Sequence, residues 1–186
     1  MLDIQLKIGD ADVFLHDEEN GRGKITISDV GEGAFTYFWG AMGEPLIKFL
    51  QSINTSYFVN KLCPKTNEFC AKDSVSNIRK YIKEDLKYDL PWYKFPSAQK
   101  EFREKLKELE SCTSADHFIN RCYDIADELF CFDLSSNEER EFKEIIKGFM
   151  TCEPWNFQGS KPTRQAIYLD KFHEKLKVAL SKLPCA

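Results

Sequence analysis

Over the first forty residues the apolar side chains keep a two-residue beat. Ile4, Leu6 and Ile8 alternate with polar neighbours, "ADVFLH" (11–16) repeats the alternation, and "KITISD" (24–29) sets Ile25 and Ile27 on one face. Each stretch reads as a half-buried strand. "AFTYFW" (34–39) supplies a fourth. Asn20-Gly21, the strongest short hairpin signal, and "VGEG" (30–33) mark the reversals between them. Tight reversals between consecutive strands predict an antiparallel meander.

After Trp39 the period lengthens to that of a helix. Pro45 suits a first helical turn, where its missing N–H costs nothing, and Leu46, Phe49, Leu50 and Ile53 then recur at helical spacing. "SYFVNKL" (56–62) continues or restarts that helix, and "CPKTNEFCAKD" (63–73) reads as a loop. Further helices are expected over 74–88, with the stripe Val75, Ile78, Ile82 and Leu86, and over 97–111, with Phe102, Leu106 and Leu109. "TSAD" (113–116) and "SNEE" (136–139) read as capping boxes opening two more. "TCEPWNFQGSKP" (151–162) is expected to be a loop before a last helix over 163–182. Strands first and helices afterwards is the order of an α+β fold rather than an alternating α/β one. The expectation is a four-stranded antiparallel meander over residues 1–43, covered by a helical layer of five to six helices drawn from 44–186. The whole chain of 186 residues then forms a single domain.

Charge changes this picture little. The net charge is −4, concentrated early: residues 1–60 carry nine acids against four bases. An acidic region of this kind favours basic partners and repels phosphate backbones. The N-terminal stretch has no basic segment followed by a long apolar core, so no secretory signal is expected, and no run is long enough to span a bilayer. Seven cysteines, with no C-x-x-C pair and no histidine within four residues of one, fit reduced thiols in a cytoplasm. Neither a disulfide framework nor a zinc site fits them.

The stretch "AFTYFWGAMGEP" (34–45) admits three readings. Gly40 and Gly43 could form a phosphate nest, but Glu44 puts a negative charge where a phosphate-binding loop needs a lysine. The rings could stack bases, with Phe35, Tyr37 and Trp39 on one face of the strand and Phe38 on the other. Their neighbours are mainly acidic, against the electrostatics of such platforms. The structural reading fits best: one aromatic face packs beneath the helices and the glycines turn the chain into a helix. Rings left over at the surface would then mark a protein–protein contact.

No catalytic motif is present, so a non-enzymatic role with no cofactor and no metal is expected. Asp124, Asp127 and Glu128 sit at helical spacing and could share a face that binds a divalent ion; a solvated helix face looks the same. His117 and His173 are assigned to polar helix faces. Trp92 and Tyr93 in "DLPWYKFPS" (89–97), and the rings of "EPWNF" (153–157), either cap a core or anchor a partner. The partner-binding candidates are therefore Asp17, Glu18, Glu19, Tyr37, Trp39, Trp92 and Tyr93.

Residues 21–62 carry a further signal in Gly23, Ile25, Ile27, Tyr37, Trp39, Gly40, Met42 and Gly43, then Leu46, Phe49, Leu50, Tyr57, Lys61 and Leu62. This spacing resembles a segment of a bacteriophage- and prophage-encoded protein family. The resemblance implies an accessory protein of a mobile element, working in the cytoplasm of a host bacterial cell. Proteins of such origin often bind and inhibit host proteins, including CRISPR-type nuclease complexes. The implied partner is a basic or nucleic-acid-handling host protein, with neither membrane nor direct nucleic-acid contact. The alternative is a nucleic-acid-binding module using the aromatic strand 35–39.

Overall fold

A computed structural model describes residues 2–86, 96–128 and 137–183 of the chain. Strands β1 (Leu2–Ile8), β2 (Ala11–Glu18), β3 (Arg22–Asp29) and β4 (Gly33–Trp39) pair antiparallel in the order β1-β2-β3-β4, the expected meander. Gly9, at φ 64°, opens the two-residue turn between Ile8 and Ala11. Asn20 and Gly21, at φ 67° and 66°, supply the left-handed backbone that tight hairpins use. At the third reversal the Asp29 carboxylate accepts hydrogen bonds from Gly31 N–H (2.9 Å) and Glu32 N–H (3.1 Å), an Asx-type turn.

Helices α1 (Leu46–Ser52) and α2 (Thr55–Leu62) follow, then the short strand β5 (Asn67–Phe69), then α3 (Ala71–Glu84), α4 (Pro96–Leu109), α5 (Ala115–Glu128) and α6 (Asn137–Thr151). A 3₁₀ turn over Pro154–Phe157, strand β6 (Ser160–Pro162), which pairs with β5, and α7 (Arg164–Leu180) complete the chain. The class is α+β, a sheet first and then helices, as expected. Helix starts differ from expectation by one to three residues: α3 begins at Ala71 rather than 74, α4 at Pro96 rather than 97 and α7 at Arg164 rather than 163, and two caps differ as well. Pro45 stands at the cap with ψ 145°, so α1 begins at Leu46. Ser114, not Thr113, caps α5, its hydroxyl accepting from His117 N–H at 3.1 Å. The 136–139 cap lies outside the described side chains.

The chain divides into two compact units, Met1–Asn67 with Pro162–Ala186, and Glu68–Lys161. In the first, one face of the sheet packs against α1, α2 and α7. Val13, Leu15, Ile25, Ile27, Phe35 and Trp39 form its sheet side, and Leu50, Phe58, Leu169, Phe172 and Leu176 its helical side. The β3–β4 turn is tied to α7 by Tyr168 O–H, which donates to Asp29 (3.0 Å), and by Arg164 paired with Glu32 (2.7 Å). In the second unit, α3 to α6 and the 3₁₀ turn enclose a separate core that includes Phe102, Leu109, Phe118, Ile125 and Phe142. Cys122 lies inside that core, as its place on an apolar face predicts, and burial pushes its thiol up to about 12.

Gly159 shows how closely the second unit is packed. Its N–H donates to Ser74 Oγ at 2.8 Å, and its carbonyl accepts from Cys70 N–H at 2.9 Å. A Cβ there would meet Asp73 Cβ and lie 2.6 Å from Ser74 N, at the rigid start of α3. Gly159→Ala should therefore cost about 1–3 kcal/mol as an overpacking change, read as a lower midpoint in chemical denaturation.

His173 departs from the expected polar face. It is fully buried on α7, stacked on Phe58 with ring centroids 4.3 Å apart. Its Nε2–H donates to the Leu50 carbonyl (3.2 Å) and Nδ1 pairs with the Thr55 hydroxyl (3.1 Å). Partners on both nitrogens make a buried imidazole tolerable. Burial holds its pKa below the ordinary value, with Lys177 acting in the same direction and Leu50, Glu174 and Asp170 opposing. The unfolded chain takes up a proton near pH 6.5 and the folded chain only at lower pH, so stability is full above that value and falls as pH drops below it. Thermal melts should give a lower Tm at pH 5.5 than at pH 7.5, and His173→Gln should shrink that difference.

Candidate functional site

Alternation along the strands sends the rings of β4 to opposite sides. Phe35 and Trp39 are buried beneath the helices, Tyr37 is half-buried beside them, and Phe38 stands 47% exposed on the open face of the sheet. Trp39, at 5% exposure, makes edge contacts with Tyr37 (4.9 Å) and Phe49 (5.5 Å). Its Nε1–H meets no acceptor among the described residues. The Lys61 ammonium lies 5.3 Å from the ring centres of both Tyr37 and Tyr57. Its hydrogen bond to Tyr37 raises its pKa. Tyr37 and Trp39 thus belong to an aromatic cluster on the covered side.

The acidic candidates gather at the tip of the β2–β3 hairpin and divide by task. Asp17 faces the covered side and accepts from Leu46 N–H at 3.0 Å. Pro45 offers α1 no side-chain cap, so a carboxylate from 29 residues earlier fills that role, favoured by the helix dipole. The "GAMGEP" segment folds against this tip: Met42 N–H donates to the Gly21 carbonyl, and Gly43, at φ 75°, makes the turn. The opening glycines therefore serve a strand-to-helix junction. Glu18 pairs with Arg22 at 3.2 Å, while Glu19 is exposed. Asp17, Glu18, Glu19 and Glu44 line one depression of about 480 Å³. Trp92 and Tyr93 lie outside the described residues.

The open face of the sheet runs in ordered rows. Asp3, His16, Lys24 and Phe38 form one row across the four strands, and Gln5, Phe14, Thr26 and Thr36 the next. Phe14 is 45% exposed. Sequence reading passed over it, although it falls on the off-beat between Val13 and Leu15, where a side chain must face away from the core. His16 Nδ1 pairs with Asp3, and the Thr26 and Thr36 hydroxyls bond to each other at 3.0 Å. Asp3, Asp12 and Glu18 outweigh Lys7, which sits across from Asp12, and leave the β1–β2 side negative, while Arg22 and Lys24 give β3 positive charge. The early acidic bias is offset within the same unit, because α7 and its flank bring back Arg164, Lys171, Lys175, Lys177 and Lys182.

The helix carboxylates are engaged by cations. Arg121 bridges Glu128 and Glu108, Lys105 reaches Glu128 at 2.6 Å, and Lys147 meets Asp127 at 3.5 Å. Arg121 first, then Lys105, holds the Glu128 carboxyl down to about 2. Among the described residues no group of three or more His, Cys, Asp or Glu side chains is placed to hold a metal ion. No helix among them is long and apolar enough to cross a membrane.

An α+β chain with a half-covered meander and an open face of mixed charge is thus defined. A model described as a phage family matches residues 3–182, and the chain belongs to that family. No curated protein and no solved structure matches it.

Proposed function

We propose that this phage-family protein is an accessory protein that docks a host protein through the open face of its sheet and inhibits it. A CRISPR-type nuclease complex is one target of the right kind. The observation that carries the reading is the pair Phe14 and Phe38, each nearly half exposed on a sheet whose other face is fully roofed. Large apolar side chains on a flat, polar-rimmed surface are what an interface core is made of. Asp3, Asp12, Glu18 and Glu19 along one side suit basic side chains on the partner.

A second reading keeps one observation of its own. Phe38 sits directly across from Lys24, with Arg22 on the same strand, a ring-and-cation pairing that single-stranded nucleic acid also uses.

Two variants separate these readings. Tagged protein expressed in a phage-susceptible host should recover a discrete stoichiometric partner, and Phe14→Asp with Phe38→Asp should abolish recovery while leaving the Tm unchanged. Equal recovery by both proteins would overturn the docking face. A mobility shift with single-stranded DNA at ~50 mM salt, lost in Phe38→Ala and Lys24→Ala, would transfer the face to nucleic acid instead.

A further inference from the structure

A second candidate site lies in the 68–161 unit, between α3 and α4. Ile82 on α3, half-buried, is the accessible part of an apolar floor whose deeper members, Phe102 and Leu106 on α4, are 1% and 2% exposed, and Gln99 stands one turn before Phe102. Four cations surround it: Arg79 and Lys83 on α3, Arg103 and Lys107 on α4. The cavity holds about 550 Å³, and none of the described residues lining it is acidic. That volume falls within the ~300–1,000 Å³ of small-molecule sites, which pair apolar walls with a few placed polar groups.

The charges are the unusual part. Each helix places two like charges one turn apart, which costs rather than contributes helix stability. Arg79 has a carboxylate, Glu110, at 3.0 Å. Among the described residues Lys83, Arg103 and Lys107 have none, like the isolated Lys72 and Lys100 of the same unit, whereas Lys80, Lys105, Arg121, Arg140, Lys147 and Lys161 each do; in the groove the unpaired cations converge. Un-neutralised cations around an apolar floor fit an anion with an apolar body. Their spread sets its shape. One i to i+4 step spans ~6 Å along each helix, the reach of a short phosphate chain, whereas a docked peptide helix uses anchors from i to i+7, ~10 Å.

We propose that this pocket binds a nucleoside di- or triphosphate, with the phosphates held by Lys83, Arg103, Lys107 and Arg79. The base and sugar then lie against Ile82, with the buried Phe102 and Leu106 behind it, and Gln99 offers an amide to a base or sugar edge. Arg can fork onto two phosphate oxygens while Lys acts as a point charge.

The test is fluorescence anisotropy of N-methylanthraniloyl-labelled ATP and ADP with the full chain. Saturable binding, displaced by unlabelled ATP, is expected. Arg103→Glu with Lys107→Glu should weaken it about tenfold or more, since both lost contacts are charge-assisted. Lys83→Gln gives a milder second variant should the double variant unfold. Lys72→Glu with Lys100→Glu, exposed cations outside the lining, should leave it unchanged. The Phe14→Asp and Phe38→Asp protein should bind nucleotide normally, so failure of the docking reading and of this one stay distinguishable. No saturation up to millimolar nucleotide would overturn the proposal, as would equal weakening by the Lys72 and Lys100 changes. So would displacement by inorganic tripolyphosphate as effective as that by ATP, or by an acidic helical peptide more effective than that by ATP.

Discussion

Leu169, Phe172 and Leu176 of α7 close a core whose opposite wall is Val13, Ile25 and Ile27 of the sheet. The meander has a single apolar face, and a sheet of this size is not stable with that face in water. Covering it governs the rest of the first unit. It explains why the β3–β4 turn is fastened to α7 by Asp29–Tyr168 and Glu32–Arg164, and why Asp17 reaches across to begin α1. It also decides which face of the sheet stays open to solvent. With α1, α2 and α7 on one side, the other side carries the exposed Phe14 and Phe38.

That division makes the two halves of β4 do different work. Phe35 and Trp39 are structural, in T-shaped and stacked contacts with helix-borne rings, while Phe38 joins Phe14 on the solvent side. The second unit follows another logic. Its outer faces are laced by Arg121, Lys105 and their carboxylates, whereas three of the four cations lining the groove between α3 and α4 have no carboxylate partner among the described residues.

The meander was legible because alternation and turn chemistry are local. Ile25 and Ile27 must share a face, and Asn20-Gly21 tolerates the left-handed backbone that a hairpin needs. Helix period was equally legible, but period states only that a face is buried, not against what. Nothing local to α7 says that it returns to the sheet, so its bases could not be set against the early acids. His173 failed for the same reason: its polarity pointed outward, while its two hydrogen-bond partners, Leu50 and Thr55, lie more than a hundred residues away. Strands β5 and β6 look like loop in the sequence, since three residues are too few to show a beat. The groove cations were visible as single charges, but their convergence depends on how α3 and α4 pack.

The order of the units along the chain has a consequence for synthesis. Residues 68–161 form their own core between the two parts of the first unit. A ribosome therefore makes the sheet, then the entire inserted unit, and only afterwards the helix that completes the sheet's cover. At typical elongation rates of ~5–20 residues per second, the nascent meander waits roughly 7–28 s for α7 to be completed. During that interval its apolar side has only α1 and α2 for shelter, and the later-made unit can finish folding before the earlier one does.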